Sequence, residues 1–393
     1  MTGQVLIVGA GPVGLALAAV LAKSGVSSTI VEKRSAPTSR DQSRAIVWMP
    51  KGLELLQSLG LADAAVEHGC KRTRHGFEIN GKTIFEMDFR RLEGRFKFSL
   101  QMPQHDSEQF LEGAALASGL VTILRDFDVS AVGQGDSGVW AEAADGRRVE
   151  GSWGVGCDGA RSLVRSALGI QQTWRDYGSR SAVADFDVAC DLDPTRSFIA
   201  LDHRRPWGMF NFAPSRWRLI YRLNADETDA VAATDDFAAG LLAEKVLDCK
   251  VSRVLWTSAF RLGQGRSETY RSGRWILAGD AAHAMGPSAG AGMMVGLIGA
   301  WRLGVGLGTA IRDRAAPDAP LADYEAMQVH TVARVQAGNA MIFRNLALTS
   351  PALARIRNFG LGFAGKTSTI PDRLTRVEAL IDEPTPPLSG DVS

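Results

Sequence analysis

The chain has 393 residues, with 44 Lys and Arg against 43 Asp and Glu, and 45% of its residues are hydrophobic. This length suits one large domain or two modest ones, and the near-neutral charge argues against a nucleic-acid partner. No apolar run reaches the roughly 18 residues of a membrane span. Four scattered cysteines without a CxxC pair predict neither a metal site nor disulfides. We therefore expect a cytoplasmic protein.

The first 32 residues predict a dinucleotide-binding unit. An apolar run at Val5–Val8 is typical of a buried parallel strand, and GAGPVG follows it, then an Ala- and Leu-rich helix and a second strand that ends at Glu32. In this pattern the first glycine allows the tight turn, the second lets a pyrophosphate approach the backbone, and the third lets helix and strand pack closely. An acidic residue about 20 positions further on accepts ribose hydroxyls. The motif alone does not separate FAD from NAD.

Three polar positions stand out in the middle of the chain. Arg44 lies in a basic loop, where it is either a solvated charge or a cofactor contact. Gln104 precedes a helix and is typical of a residue in its cap region. Asp158 follows a short strand and is expected to cap the next helix.

Residues 181 to 260 read as strands, with Pro214-Ser215 as a hairpin turn. If Ala213 pairs with Arg216, one face of the hairpin is apolar: Phe210, Phe212, Trp217, Leu219 and Tyr221. The other face then carries Trp207, Asn211, Arg216, Arg218 and Arg222. The apolar face is either ordinary core or the wall of a pocket for a flat, hydrophobic ring.

The segment GDAAHAMGPSAGAGMMVG, from Gly279 to Gly296, contains more glycine than a helix normally tolerates, since each glycine costs about 1 kcal/mol relative to alanine. Bare backbone is therefore needed here, either in a plain loop capped by Asp280 or against a ligand. The C-terminal residues EPTPPLSGDVS, 383–393, predict a disordered tail.

Taken together, GAGPVG with Glu32, CDGARSLVR and GDAAH occur in an order that resembles the single-component FAD-dependent aromatic monooxygenases, which include para-hydroxybenzoate hydroxylase and the ubiquinone-biosynthesis hydroxylases. The similarity runs from residue 3 to about 365. It implies a mixed α/β fold: a Rossmann-like FAD domain with a parallel sheet (1–72, 100–176 and 262–330), a mostly antiparallel substrate sheet (73–99 and 177–261), and C-terminal helices (331–382).

The resemblance also implies the site. Cofactor-binding residues are then Gly9, Gly11, Pro12, Val13, Gly14, Glu32, Lys33, Arg44, Gln104, Asp158, Asp280, Pro287, Gly290, Ala291, Gly292 and Met293. A flavin-facing loop with Pro287, Gly290 and Gly292 is favoured for catalysis, because no single base is evident. The expected substrate wall is Phe210, Phe212, Trp217 and Tyr221.

The implied reaction is hydroxylation of an aromatic, heteroaromatic or polyketide-type molecule through a C4a-hydroperoxyflavin, with FAD as cofactor, NAD(P)H as transient co-substrate, and O₂. Epoxidation, Baeyer–Villiger oxidation, or a non-oxygenating reductase, dehydrogenase or ligand-binding protein on the same scaffold are alternatives. The expected protein is a monomer or homodimer. Met294, Gly299 and Arg302 stand where the family usually has Asn, Asp and Asn, which predicts weaker flavin binding.

Overall fold

A computed structural model describes residues 4–40, 45–246, 249–286, 290–348, 350–367 and 369–388, so the predicted site residues Arg44 and Pro287 lie outside the described residues. The strands, in chain order, are β1 Val5–Val8, β2 Ser28–Val31, β3 Val47–Trp48, β4 Cys70–Arg72, β5 Arg74–Ile79, β6 Lys82–Asp88, β7 Ser99–Gln101, β8 Val121–Leu124, β9 Val129–Gly135, β10 Gly138–Ala143, β11 Arg148–Gly151, β12 Trp153–Gly156, β13 Gln172–Ala189, β14 Arg196–Ala200, β15 Trp207–Ala213, β16 Arg216–Arg222, β17 Lys250–Ser267, β18 Arg271–Ser272 and β19 Trp275–Leu277. The helices are α1 Pro12–Lys23, α2 Pro50–Ser58, α3 Ala62–His68, α4 Gln104–Ala117, α5 Leu163–Ala167, α6 Asp229–Ala232, α7 Asp235–Lys245, α8 Ala291–Arg312, α9 Asp318–Leu346, α10 Pro351–Gly365 and α11 Thr369–Ala379.

A six-stranded sheet holds the N-terminal unit, in the order β18-β19-β12-β1-β2-β8. Strand β1 pairs in parallel with β2 on one side and β12 on the other, and all four of its residues are buried. A continuous apolar strand followed by a crossover helix produces this arrangement, because both faces of the sheet are covered. The predicted strand–helix–strand unit is present.

A seven-stranded sheet, in the order β17-β13-β16-β15-β14-β5-β6, forms the second layer. It is antiparallel except where β14 runs parallel to β5. Strands β13 and β17 each have 18 residues and extend from this sheet toward the parallel sheet. The predicted mixed fold class is confirmed. The division into discontinuous domains stays a prediction, and these two strands cross its boundaries at 176 and 262.

The predicted hairpin is present, with Ala213 opposite Arg216, but the predicted faces are wrong. A bulge follows Asn211 and shifts the register of the strand pair. Asn211 is therefore paired with Trp217, and Phe210 is paired with Arg218. Because side chains alternate between the faces of a strand, one extra residue moves Phe210 onto the face opposite Trp217. The hairpin therefore carries arginine and phenylalanine together on one side.

Three glycines of α8 allow it to pack closely on α1. An added Cβ at Gly296 would lie 2.7 Å from Val13 Cγ2, at Gly304 2.6 Å from Val20 Cγ1, and at Gly308 2.8 Å from the Cβ of a serine in the turn after α1. Helix α8 is long and apolar enough to cross a membrane, yet 78% of its apolar window is buried inside the protein, as in a core helix. Part of the glycine content thus serves helix packing.

The three departures from the family pattern are packing residues. Met294 is fully buried, and an added Cβ on Gly52 would lie 2.5 Å from its sulfur. A Cβ on Gly299 would lie 2.9 Å from Gln328 Nε2. The buried Arg302 donates to Glu383 Oε2 at 2.9 Å. None of the three side chains lines the cavity described below.

The prediction of a disordered tail is wrong for residues 383–388. Glu383 and Leu388 are each only 3% exposed. The cause is the buried guanidinium of Arg302, which requires a carboxylate because an unpaired buried charge is strongly unfavourable. Residues 389–393 lie outside the described residues.

Candidate active site

One cavity of about 1780 Å³ joins the two sheets. At one end it is lined by the glycine turn after β1 and by Glu32, and at the other by the inner face of the seven-stranded sheet. Pockets for drug-sized ligands typically measure about 300–1,000 Å³. The cavity therefore has room for a dinucleotide-sized cofactor and a second molecule.

The glycines of the first turn serve two different purposes. Gly9 has a φ of +107°, and an added Cβ there would lie 2.6 Å from the carbonyl oxygen of Cys157; a Cβ on Gly14 would lie 2.1 Å from the carbonyl oxygen of Gly9. Gly11 has no atom within 4 Å of its Cβ position and lines the cavity. The outer two glycines close the turn, whereas Gly11 leaves backbone open to a ligand.

Helix α1 begins at this turn with Pro12, and the Gly11 N-cap has no side-chain hydrogen bond. Its first N–H groups thus have no side-chain cap, and the helix dipole places partial positive charge at the same point. Both Pro12 and Val13 line the cavity. The start of α1 therefore favours the binding of a phosphate group.

Glu32 is held as a carboxylate at the end of β2. Its Oε2 accepts from Ala10 N at 2.7 Å, and its Oε1 accepts from Arg34 N at 3.0 Å and Arg34 Nε at 2.8 Å. Burial alone would raise the pKa of Glu32, but the hydrogen bonds and charge of Arg34 outweigh it and hold the pKa below its usual value. Lys33, which follows, is exposed and lines the cavity.

Sequence reasoning missed a polar network beside Glu32. Glu108 on α4 is fully buried and accepts from Thr38 N at 2.7 Å, Thr38 Oγ1 at 2.9 Å and Gln104 Nε2 at 2.9 Å. Arg34 lies between Glu32 and Glu108, 3.5 Å from the latter. Gln104 lines the cavity while its Oε1 accepts from Ala45 N at 3.2 Å. A buried acid on an otherwise ordinary amphipathic helix leaves no distinctive sequence pattern.

Asp158 caps the next helix, as predicted, whereas its contact with a cofactor stays a prediction. Its Oδ1 accepts from Ser162 Oγ at 2.6 Å and its Oδ2 from Val164 N at 3.0 Å, so it fixes the start of α5. It also lines the cavity, as does Arg161. Arg165 lies elsewhere: it donates to the carbonyl of Ala281 at 3.0 Å and ties α5 to the turn that carries Asp280.

Asp280 lies on a 3₁₀ turn, Gly279–Ala281, at the base of the cavity. Asp280 is exposed and lines the cavity, and desolvation by the surrounding protein raises its pKa to about 6. Three residues behind it, His283 is fully buried, with Nε2 3.1 Å from Gln328 Nε2, and burial lowers its pKa to about 4. His283 is a core residue.

Helix α8 begins beside Asp280. Its N-cap, Gly290, adopts a left-handed conformation with φ +70°, and an added Cβ would lie 2.8 Å from Val47 Cβ. Gly292 and Met293 line the cavity with it, whereas Ala291 does not. The Gly290 N-cap has no side-chain hydrogen bond, so a second helix start presents its N–H groups near the cavity.

The sheet face toward the cavity is mainly aromatic and apolar. It includes Phe77, Val183, Ile199, Phe210, Ile220, Trp256 and Phe260. Arg218 lies among them and makes a bidentate ion pair with Asp185, at 2.7 and 2.8 Å. This wall suits a flat ring.

Of the four predicted wall residues, Phe210 lines the cavity. Phe212 is 2% exposed and belongs to the main core. Trp217 packs into a second core on the far side of the sheet. Tyr221 reaches the edge of the cavity, but its hydroxyl donates to the carbonyl of Ala232 at 2.7 Å and burial raises its pKa to about 12. The register shift at the bulge explains these positions.

A polar cluster lies at the sheet end of the cavity and was also missed. Arg72 on β4 is buried and donates to Ser99 Oγ at 2.7 Å, Ser197 Oγ at 3.0 Å and Glu378 Oε1 at 3.0 Å. His75 on β5 has its Nδ1 2.6 Å from the same Ser197 Oγ. Arg72, His75 and Glu378 all line the cavity.

Comparison with known proteins agrees with this geometry. Residues 2–337 match the model of the family described as FAD binding domain. The chain is 30% identical over 369 residues to 6-methylpretetramide 4-monooxygenase of Streptomyces rimosus, covering 90% of this chain and 63% of that protein. It is 30% identical to the rifampicin monooxygenase of Streptomyces venezuelae, covering 90% and 74%.

Among solved structures, the Diels-Alderase PyrE3 of pyrroindomycin biosynthesis superposes with a TM-score of 0.80 and 26% identity, covering 98% of this chain and 82% of that one. By sequence, the chain spans just under two thirds of the length of 6-methylpretetramide 4-monooxygenase. The match over most of the chain, together with a glycine turn, Glu32 and Asp280 around one cavity, establishes the relationship. The protein belongs to the FAD binding domain family.

Proposed function

We propose that the protein is an FAD-dependent monooxygenase that uses NAD(P)H and O₂ to hydroxylate an aromatic small molecule. The observation that carries this proposal is the cavity that connects the glycine turn at the start of α1 to an aromatic sheet face. Two relatives, named as monooxygenases that act on 6-methylpretetramide and rifampicin, support it. Four free cysteines support a cytoplasmic location.

The residues around the cavity fit FAD. In this proposal Gly9, Gly11, Gly14, Pro12 and Val13 hold the pyrophosphate at the start of α1, because the backbone there is both open at Gly11 and positively polarised.

The remaining contacts follow along the cavity. Glu32 and Lys33 bind the adenosine ribose, and Asp280 binds a ribityl hydroxyl. Gly290, Gly292 and Met293 lie along the flavin ring. Gln104 and Asp158 line the same space and orient its walls.

When bound, the flavin accepts hydride from NAD(P)H and activates O₂ for transfer of one oxygen atom. The protein binds, orients and excludes water. The start of α8 directs N–H groups and the positive end of its dipole toward the place proposed for the ring, which stabilises negative charge there. The aromatic wall holds the substrate ring flat, and enclosure within the cavity limits the access of water.

The test is to load the purified protein with FAD and follow NADH and NADPH oxidation with a panel of phenols, quinolones and polyketide-like aromatics. We expect a substrate-stimulated rate and a product that gains one oxygen atom from ¹⁸O₂. A protein that takes up no FAD, or that forms product without O₂, contradicts the proposal.

A second candidate is a non-oxygenating reaction on the same scaffold. The similarity to a Diels-Alderase across 98% of this chain favours keeping it. In that case a substrate is converted to an isomer of unchanged mass, without NAD(P)H consumption. The same product analysis separates the two candidates.

A further inference from the structure

Two cysteines that are far apart in the sequence meet at the end of the seven-stranded sheet that is remote from the parallel sheet. Strand β13 ends at Ala189 and β17 begins at Lys250, and these two residues are paired across the antiparallel strands. The next position outward is Cys190 on one strand and Cys249 on the other. The register therefore places the two cysteines opposite each other.

Their side chains also point to the same side of the sheet. Val188 and Val251 are paired and both belong to the second core, and residues two positions apart on a strand share a face. Cys190 and Cys249 pack against that same core, whereas the residue between cysteine and valine on each strand is exposed. The two cysteine side chains share a hydrogen bond.

This geometry meets the requirements of a disulfide. Directly opposed residues of antiparallel strands have Cα atoms about 4.5–5.5 Å apart, and disulfides span Cα separations of about 4.4–6.8 Å. Cys190 and Cys249 are free thiols in this structure, and each is half-buried, so a small oxidant can reach them from solvent. The bond can thus form without a change of register.

The surroundings give the two thiols different roles. Burial, and then negative charge on Cys190, raise the pKa of Cys249 to about 12, so Cys249 retains its proton. The thiolate, and not the thiol, attacks an oxidant. Cys190 is therefore the nucleophile, and Cys249 is the thiol that reacts with the oxidised product.

We propose that Cys190 and Cys249 form a reversible disulfide across β13 and β17 in response to hydrogen peroxide. The Cys190 thiolate attacks one peroxide oxygen, the O–O bond breaks, and the hydroxide released takes up the proton that Cys190 lost on ionising. The sulfur of Cys249 then attacks the resulting sulfenic acid, the S–O bond breaks, and the second hydroxide leaves as water with the Cys249 proton. Two thiols are oxidised by two electrons, and peroxide is reduced to two molecules of water.

The disulfide ties together two strands that also form the cavity wall. Val183 of β13 is paired with Ser258 of β17, and both residues line the cavity. The bond closes a loop that contains β14, β15, β16, α6 and α7. Closing a loop restricts the unfolded chain, so oxidation should raise the melting temperature by about 2–5 °C.

The experiment treats the reduced, purified protein with an equimolar amount of hydrogen peroxide. Remaining thiols are then blocked with a maleimide in denaturant, and the digest is mapped by mass spectrometry. We expect a cross-linked peptide pair that joins Cys190 to Cys249 and is lost after treatment with dithiothreitol. Cys70 and Cys157 should carry the maleimide, because Cys70 is paired with Gln101 and burial raises the pKa of both thiols.

Three variants separate the roles of the thiols. Cys249→Ser should stop at the sulfenic acid, which dimedone labels on Cys190. Cys190→Ser should give neither the cross-link nor a dimedone label on Cys249. Cys70→Ser is the matched control, and it should form the cross-link and gain thermal stability as the wild type does.

Four results overturn the inference: no Cys190–Cys249 cross-link in the folded protein, an equal yield of cross-links to Cys70 or Cys157, dimedone on Cys249 instead of Cys190, or a melting temperature that does not rise on oxidation. Because peroxide is added, the outcome does not depend on turnover. A cross-link in a protein that hydroxylates no aromatic compound supports the disulfide and refutes the proposed function, whereas hydroxylation without a cross-link does the reverse.

Discussion

Gly11 and Gly14 belong to one turn, yet alanine should affect the protein in opposite ways at the two positions. A Cβ at Gly14 would lie 2.1 Å from the carbonyl oxygen of Gly9, whereas ordinary contact begins at 3.4 Å. Both partners are backbone, so no flexible side chain can move away. We expect Gly14→Ala to cost about 3 kcal/mol of unfolding free energy or more, at the upper end of overpacking, and to abolish FAD uptake.

Gly11 has φ −78° and ψ 178°, which alanine adopts without strain, and its Cβ position is empty. Gly11→Ala should leave the FAD-free protein as stable as the wild type or about 0.4–1 kcal/mol more stable. Its methyl group would lie where the pyrophosphate is proposed. Losing one hydrogen bond to a charged phosphate costs about 1.5–3 kcal/mol, which raises the dissociation constant of FAD by about 10- to 150-fold.

The assay combines urea unfolding of the FAD-free proteins with FAD titration followed by flavin fluorescence. A Gly11→Ala variant with wild-type FAD affinity would show that the pyrophosphate lies elsewhere. A Gly14→Ala variant as stable as Gly11→Ala would refute the packing argument.

Two further predictions concern stability. Gly304→Ala places a Cβ 2.6 Å from Val20 Cγ1, whereas the same change at Gly338 on α9 meets no atom within 4 Å. Helix propensity favours alanine equally at both positions, so the Gly304→Ala protein should be less stable than the Gly338→Ala protein by about 1–3 kcal/mol in urea unfolding. Equal stability of the two variants would contradict the close packing of α8 on α1. Burial lowers the pKa of His283 to about 4, so the unfolded chain binds its proton first and stability should fall by ~3 kcal/mol as the pH drops from 6.5 toward 4. His283→Gln should flatten this difference when unfolding is compared at pH 7 and 4.5, while the exposed His330→Gln should not.

The local architecture was predictable where chemistry and spacing coincide. A four-residue apolar strand, three glycines and an acid 23 positions after the first glycine specify the turn at Gly9 and Glu32, since few other structures need that order. The Pro214-Ser215 turn was predictable because proline and serine separate two strand-like runs. The bulge after Asn211 was not, because no residue type marks it, and one residue of slippage changes which aromatic side chains reach the cavity.

The polar part of the site was not predictable from local patterns. Arg72, His75 and Glu378 come from three elements, and Glu378 is 306 residues from Arg72 in the chain. Met294, Gly299 and Arg302 suggested weakened flavin binding, yet each is explained by its packing partner: Gly52, Gln328 and Glu383. A departure from a family pattern is informative about chemistry only when the side chain faces the ligand.

The ion pair between Arg302 and Glu383 also sets an order of events during synthesis. The carboxylate that neutralises Arg302 is encoded 81 residues later, after α9, α10 and α11. While the ribosome is still translating those helices, the guanidinium in the middle of α8 lacks this counter-ion, and α8 carries the glycines proposed to lie against the flavin. The buried guanidinium therefore gains its carboxylate partner only after residue 383 has left the exit tunnel.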